Sequence, residues 1–322
     1  MGGAKKISWP VKELDFLRQY GIRDLYLKGE HRSVLQLGNG TKDYALKCVN
    51  YASEKLMFLA GVQQFLEVRG FAYFARMVPN LAGEYFVRIG QENYCLMEWI
   101  PGRESSFKDR NDLFTYISVV ANLHKLTCGF GGETQNLSEK WSGSLQELKA
   151  MSGGERRFSG ELHNLLSRAI EFGQIALSFL QKPEALKSAC RPLVVCHKDL
   201  TYRNLLIDAN NQGYLIDFDY AKADRPVRDL AQFLRKAWKQ NAWDTDLGLR
   251  LLASYAKDNL LTNGDLGLLL AYLYFPRSLR QFASRMKRYA PNPVLVEDII
   301  QDAKSYLANK PSLERFSRSL GY

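Results

Sequence analysis

The chain has 322 residues, 46% of them hydrophobic and 24% charged, which suits two lobes around a large core and excludes a disordered or fibrous protein. A formal net charge of +10 favours anionic ligands without choosing among them. No interleaved basic and aromatic pattern marks a nucleic-acid surface, so no nucleic-acid partner is expected.

The opening "MGGAKKISWPVKELDF" lacks an apolar h-region, and Lys6 stands where a myristoylation motif wants Ser or Thr. The most apolar run, "LGLLLAYLYF" at 266–275, is far short of the roughly 20 residues that span a bilayer. Cytoplasmic synthesis without a membrane partner is the expectation. Five scattered cysteines with no CxxC pair read as buried thiols rather than a disulfide framework or zinc site.

Residues 24–49 read as short strands. An apolar run around Val34 to Leu37, the turn "GNGTKD" and "YALKCV" form a hairpin. Helical periodicity follows in "SEKLMFLAGVQQFLEVRG", where Phe58, Val62, Phe65 and Leu66 recur and Gly70 marks a stop. Further strands are expected at 84–89 and 93–98. Beyond "IPGR" helices are expected at 111–127 and 160–180, with the Gly- and Ser-containing segment 129–159 mostly a loop. "LLI" and "YLIDF" form two strands joined by the polar turn "DANNQG", and helices dominate from Asp229 to the end. The fold expected is α+β: a two-lobed, protein-kinase-like arrangement with a β-rich lobe at 1–100 and a mainly helical lobe at 101–322.

Chemistry concentrates in "VCHKDLTYRNLLIDANNQGYLIDFD", residues 195–219. A loop followed by a hairpin carries His197, Asp199 and Asn204 to one end and returns Asp217 towards it. The kinase catalytic loop H-x-D-x-x-x-x-N followed by D-F-G supplies a base and two metal ligands; here the letters are H-K-D-L-T-Y-R-N and D-F-D. By role Asp199 is the base, Asn204 and Asp217 hold Mg2+, and His197 braces the loop. Taken singly, each residue is ordinary strand-end punctuation; the joint spacing is what points to catalysis.

The matching half belongs in the β-rich part. Lys47 in "YALKCV" suits a strand lysine that holds α- and β-phosphates, though a solvent-facing lysine fits the string as well. For its acidic partner, Glu54 shares a helical face with Phe58, Val62 and Phe65, whereas Glu67 falls among Gln63 and Gln64. The alternative for Glu54 is a first-turn carboxylate favoured by the helix dipole. "YCLMEWIPG" reads as a hinge in which backbone groups of Glu98 and Ile100 bond adenine beside Met97 and Trp99, or as a buried strand entering a linker. The glycine-rich phosphate loop is degenerate: "KGEHRSVLQLG" offers Gly29 at the turn, with Arg32 and Ser33 in place of further glycines.

"CHKDLTYRN", "LIDFDYA", "RDLAQFLRK", "ANLHKLT" and "YALK" resemble the aminoglycoside phosphotransferase and choline kinase superfamily over nearly the whole chain. "YALKCVN", "YCLMEWIPGRE" and "IDFDYAKADRPVRDLAQFLRK" look most like its CotS-like members, associated with bacterial spore coats. The resemblance implies ATP-dependent phosphorylation of a small hydroxyl-bearing substrate, with spore coat proteins as further partners. It also implies that Asp229 stabilises the catalytic loop, where an ordinary helix N-terminal aspartate reads equally well; His124 reads as structural. Lys198, where the antibiotic kinases carry Gly, either adds charge near phosphates or faces solvent. Asp219 is a further carboxylate near Mg2+ or a turn cap, the second slightly favoured. The rival function is a kinase-fold scaffold of the spore coat with little turnover. Basic clusters at "FPRSLRQFASRMKRY" and at Lys222, Arg225 and Arg228 read as solvated helix faces sooner than as a docking site for an acidic substrate. Trp238, Trp243, Tyr272 and Phe275 are core aromatics or the lining of a substrate pocket.

Overall fold

A computed structural model describes residues 14–32, 34–132, 136–153, 160–184, 192–277 and 293–322, the last from backbone alone over 293–296. Its contacts divide the chain into two compact units, one of residues 1–105 with 202–221, the other of 106–201 with 222–322. The expected cut after residue 100 left the hairpin at 202–221 with the helical part. Its strands instead pair inside the first unit, which is why it belongs there.

The first unit is built on a five-stranded antiparallel sheet. Strands β1 (Tyr26–His31), β2 (Val34–Gly38), β3 (Asp43–Val49), β4 (Val87–Ile89) and β5 (Glu92–Glu98) lie in the order β1-β2-β3-β5-β4. Helix α1 (Ser53–Val68) follows β3. Alternation along β3 sorts its side chains by face. Tyr44 and Leu46 join Leu35, Leu37, Tyr94 and Leu96 in one core cluster, while Val49 packs with Cys95, Met97 and Leu56 of α1. Lys47 is in phase with Val49 and so sits on the α1 side. A second small sheet consists of β6 (Arg103–Glu104), β8 (Leu205–Ile207) and β9 (Gly213–Leu215), with β8 in the middle. The turn between β8 and β9 is Asx chemistry as expected: the Asp208 carboxylate accepts the N–H groups of Asn210 and Gln212 at 2.8 and 2.9 Å.

The second unit is helical around one short ladder, β7 (Val194–Cys196) paired with β10 (Lys222–Asp224). Its helices are α2 (Arg110–Leu126), α3 (Leu137–Gly153), α4 (Gly160–Leu180), α5 (Pro226–Gln240), α6 (Thr245–Ala256), α7 (Asn263–Tyr274), α8 (Pro293–Ala308) and α9 (Lys310–Ser319). A capping box on Thr262 and Asp265, in "TNGD", starts α7. Helix α3 overturns the loop expected across 129–159. Asn136 accepts the N–H groups of Ser138 and Glu139, and Trp141, Ser144, Leu145 and Leu148 form a buried stripe that the serines and glycines obscure in the sequence. The resulting architecture, an antiparallel sheet followed by a mostly helical part, is the kinase-like fold expected.

The buried-thiol reading holds for Cys95 and Cys196, Cys48 is half-buried, Cys128 is exposed, and Cys190 lies outside the described residues. The basic cluster at 275–289 is likewise described only through Arg277. No helix among the described residues is long and apolar enough to cross a membrane.

Gly248 of α6 is fixed by its neighbour. A Cβ there would fall 2.3 Å from Nε1 of Trp238, which is 2% exposed. Gly to Ala in a helix ordinarily gains about 1 kcal/mol, whereas overpacking against a fixed ring costs about 1–3 kcal/mol. Gly248→Ala is therefore expected to lower stability in urea denaturation; a gain would show that the indole moves aside freely.

Candidate active site

In the first unit, Lys47 is buried and its ammonium is bound by two carboxylates, Asp217 Oδ1 and Asp219 Oδ2, each at 2.6 Å. Tyr51 donates its hydroxyl to Asp219 Oδ2 at 2.6 Å. Asp217 adopts a left-handed conformation with φ 65°, which directs the carboxylate off the end of β9 at some cost in backbone strain. Burial disfavours the Lys47 ammonium, but the charges and hydrogen bonds of Asp217 and Asp219 outweigh it and leave its pKa raised. Those carboxylates also help to push up the pKa of Tyr51, though burial is the larger cause. Asn204 is buried directly before β8 and its carbonyl oxygen accepts the Ile216 N–H at 3.0 Å. That bond ties the residue to Ile216, between the end of β9 and Asp217.

Lys47, Asp217 and Asp219 line a partly open cavity together with Leu59, Val62 and Gln63 of α1. Cys95 and Met97 also line it; the Cys95 thiol is pushed up to about 12, chiefly by burial.

Glu54 is corrected here. It is exposed in the first turn of α1, and the ion partners of Lys47 among the described residues are the two aspartates. The buried stripe of α1 runs through Leu56, Leu59, Val62, Gln63 and Leu66. Phe58 and Phe65 sit at its flank, each under a cation, Lys55 and Arg69, 5.0 Å from the ring centre. A helical wheel centred on those phenylalanines is thus rotated away from the true inner face. The polar residue of α1 that reaches the cavity is Gln63, whose amide accepts the Met77 N–H at 2.6 Å and donates to the Met77 carbonyl at 2.7 Å.

Asp219 accepts hydrogen bonds from Lys47 and Tyr51. At the expected hinge, the Glu98 N–H donates to the Arg76 carbonyl at 2.8 Å. That donor is spent within the unit; Ile100 is half-buried just beyond β5. Gly29 lies within β1 at an irregularity in the β1–β2 register rather than at the turn. The turn itself holds Arg32, with φ 56° and an ion pair to Glu104 at 2.7 Å.

In the second unit, the loop after β7 is held by one face of α5. Asp229, fully buried, accepts the His197 N–H at 2.6 Å and the Lys198 N–H at 2.9 Å. One turn on, Gln232 accepts the Leu200 N–H at 3.2 Å, and after a second turn Lys236 reaches Asp199 Oδ1 at 3.5 Å. These three residues are spaced i, i+3, i+7 on one helical face. Lys198 has φ 66°, a strained conformation that the Asp229 bonds secure. His197 is buried and its Nδ1 accepts the Asp199 N–H at 3.3 Å, a bond within the loop. His124 lies with Nε2 3.4 Å from Asp229 and Nδ1 2.8 Å from the Tyr255 hydroxyl.

Burial opposes the charge on Asp229, yet the hydrogen bond and charge of His124, with those of His197, keep its pKa lowered. His124, Cys196 and Asp229 bring ligand atoms within 4.8 Å of one another. Each of these atoms is already engaged, Cys196 by the Arg225 carbonyl, so the trio is a hydrogen-bonded brace. Lys236 was missed by sequence reasoning; its signal was the seven-residue step from Asp229. Burial and the charge of Arg277 lower its pKa against the pull of Asp199.

A family model described as the phosphotransferase enzyme family matches residues 26–273, and the chain belongs to that family. It is also similar to spore coat protein S of Bacillus subtilis (strain 168), 25% identical over 248 residues that span 72% of this chain and 70% of that protein. Among solved structures, an aminoglycoside phosphotransferase from Alicyclobacillus acidocaldarius superposes with a TM-score of 0.80 at 18% identity, covering 95% of this chain and 94% of the other. A spectinomycin phosphotransferase solved with ADP and spectinomycin gives a TM-score of 0.58 at 15% identity, covering 96% and 93%. The superpositions establish the fold.

Asp229→Asn keeps the shape but has one oxygen for two loop N–H groups, which is expected to cost about 1–3 kcal/mol. A lower thermal midpoint and faster amide exchange at His197 or Lys198 would register it. Because the folded carboxyl is depressed below its ordinary 3.8, its stabilisation is complete above that pH and fades as pH falls through the folded value. The gap between wild type and variant should therefore close only in acid; a gap undiminished in strong acid speaks against an ionised acceptor.

Proposed function

We propose that this member of the phosphotransferase enzyme family is an ATP-dependent kinase that transfers the γ-phosphate to a hydroxyl of a small molecule. The observation that carries the reading is the Lys47, Asp217 and Asp219 cluster, in which Lys47 lies 170 residues from Asp217 in sequence and 2.6 Å away in space. Burying the Lys47 ammonium costs several kcal/mol, and an apolar residue of similar size would often serve stability better. Charges kept at that cost support a site that handles other charges.

The donor set fits the groups such a kinase uses. Asp217 and Asn204 offer oxygen ligands of the kind Mg2+ prefers, and the Lys47 ammonium suits phosphate oxygens. Bound Mg·ATP supplies the phosphoryl group and a divalent charge that neutralises it. In this reading Asn204 and Asp217 hold the metal, Lys47 binds the phosphates, and the Glu98 carbonyl and Ile100 serve adenine. Asp199 accepts the proton of the acceptor hydroxyl, and His197, Gln232 and Asp229 hold the loop that presents it. The unit of residues 1–105 with 202–221 chiefly serves the nucleotide, and that of 106–201 with 222–322 catalysis and the acceptor.

The likeness to spore coat protein S supports a place in the spore coat. A scaffold of low turnover is the second reading, favoured by Arg32 where a phosphate-cradling glycine would stand.

Mg·ATP at about one hundred times its Kd should stabilise the protein by about 2.7 kcal/mol, read as a raised thermal midpoint. Asp217→Ala should remove that shift. Asp199→Ala should keep the shift and lose ATP consumption by about 10²–10⁴-fold. Wild type that gains nothing from millimolar Mg·ATP leaves the scaffold standing, and equal loss of binding and turnover in Asp199→Ala contradicts its role as base.

A further inference from the structure

The turn between β1 and β2 carries a long side chain where a bare backbone would fit with less strain. Arg32 stands there with φ 56°, a left-handed conformation that glycine adopts freely and an arginine holds only at a cost. Its guanidinium pairs with Glu104 of β6 at 2.7 Å, and the two side chains are 58% and 39% exposed. An ion pair so open to water adds little to stability. The pair therefore does not offset the strain, and stability alone gives no reason for an arginine at this turn.

The register sets that arginine beside the lysine expected to hold phosphates. Val34 of β2 lies directly opposite Lys47 of β3 in the antiparallel ladder, where opposed side chains share a face about 5 Å apart. Arg32 stands in the turn that closes the hairpin beyond the terminal pair of His31 and Val34. Glu104 leads to the other half of the same site. It pairs with Leu206 of β8, the strand that starts directly after Asn204, and β8 pairs with β9, which leads to Asp217. The ion pair thus bridges the sheet that positions Lys47 and the hairpin that positions the expected metal ligands. The tip has other anchors as well: the His31 ring lies against Trp99 with centroids 5.2 Å apart, and His31 Nε2 meets Gln36 Oε1 at 3.2 Å. With these in place Arg32 can change partner while the hairpin stays where it is.

Resting on the kinase reading above, we infer that Arg32 is a phosphate-binding residue that exchanges Glu104 for the β- and γ-phosphates of the nucleotide, so that one side chain stands in for the glycine backbone cradle that the sequence lacks. The guanidinium presents a planar fork of donors that suits a carboxylate and a phosphate alike, in two parallel hydrogen bonds. Glu104 holds the fork near the site until the nucleotide arrives. A polyphosphate carries more negative charge than one carboxylate and wins the exchange, and Glu104, on the exposed β6, is left to water.

Binding of adenosine, AMP, ADP and Mg·ATP at constant ionic strength, read by calorimetry and thermal shift, tests this. Arg32→Gln should weaken ADP and Mg·ATP about tenfold or more and leave adenosine and AMP within about twofold of wild type. Glu104→Gln should act in the opposite direction and tighten Mg·ATP several-fold, because it removes the competitor for the guanidinium. In the double variant that gain should vanish, since it works through Arg32. A loss for adenosine or AMP equal to that for ATP, effects of the same sign in the two single variants, or a Glu104→Gln gain that survives without Arg32 overturns the inference; these are the marks of a structural latch or of a general change in charge. Arg32→Gln that binds Mg·ATP as well as wild type also sinks the inference and leaves the kinase reading standing, whereas a wild type that binds no adenine nucleotide sinks both. The expected pattern of binding with no ATP consumption upholds the role of Arg32 and favours the scaffold.

Discussion

The carboxylate of Asp229 is the constraint on which the loop at 197–200 depends. It takes two consecutive N–H groups from a stretch with a left-handed residue between His197 and Asp199. Without an acceptor there, two buried donors would be orphaned and Lys198 would have no reason to stay in an unfavourable conformation. The carboxylate is itself held by His124, which Tyr255 orients from α6. An isolated buried aspartate would take up a proton; this one keeps its charge because every partner it has favours the ionised form. Once Asp229 is fixed, helical geometry places Gln232 and Lys236 under Leu200 and Asp199, so α5 carries the loop as a template carries a strand.

The first unit solves a different problem with similar means. Lys47, Asp217 and Asp219 place one cation and two anions in a mostly apolar wall. The surplus negative charge is partly quenched by the Tyr51 hydroxyl. In the absence of that donor, two carboxylates on one ammonium would repel each other, with screening by water chiefly on the more exposed Asp217. Gln63, where an acid on α1 would make a third anion, is neutral and locked to the Met77 backbone. Asp219 therefore has the anchoring role that an acid on the helix would otherwise take, and the exposed position of Glu54 follows from the same balance.

What could be read from the letters is what depends on local periodicity. The strand in "YALKCV" was legible although the string left open whether Lys47 faces inward, and the turn residues of "DANNQG" set the hairpin that returns Asp217. The phase of α1 was not legible, because Phe58 and Phe65 are apolar enough to define a face yet are covered by Lys55 and Arg69 instead of the core. Helix α3 was hidden by its small residues. Gly173 of α4 faces Leu145 so closely that a Cβ would collide with it, so these helices approach through glycine and serine, which in sequence look like loop. Asp219 and Lys236 were misjudged or missed because their partners lie 172 and 37 residues away, beyond any local pattern.

The charge of +10 favours anionic ligands without choosing among them, and a basic helix face is usually only solvated. Position changes that judgement for a few residues. Arg228 and Lys198 converge on Asp224 from α5 and from the loop, which turns two surface-type cations into a relay with one acid between them. Were the acid absent, the two cations would repel and one would swing to solvent. With it present both stay, and the lowered pKa of Lys198 records the remaining strain: burial and the charge of Arg228 outweigh the attraction of Asp224.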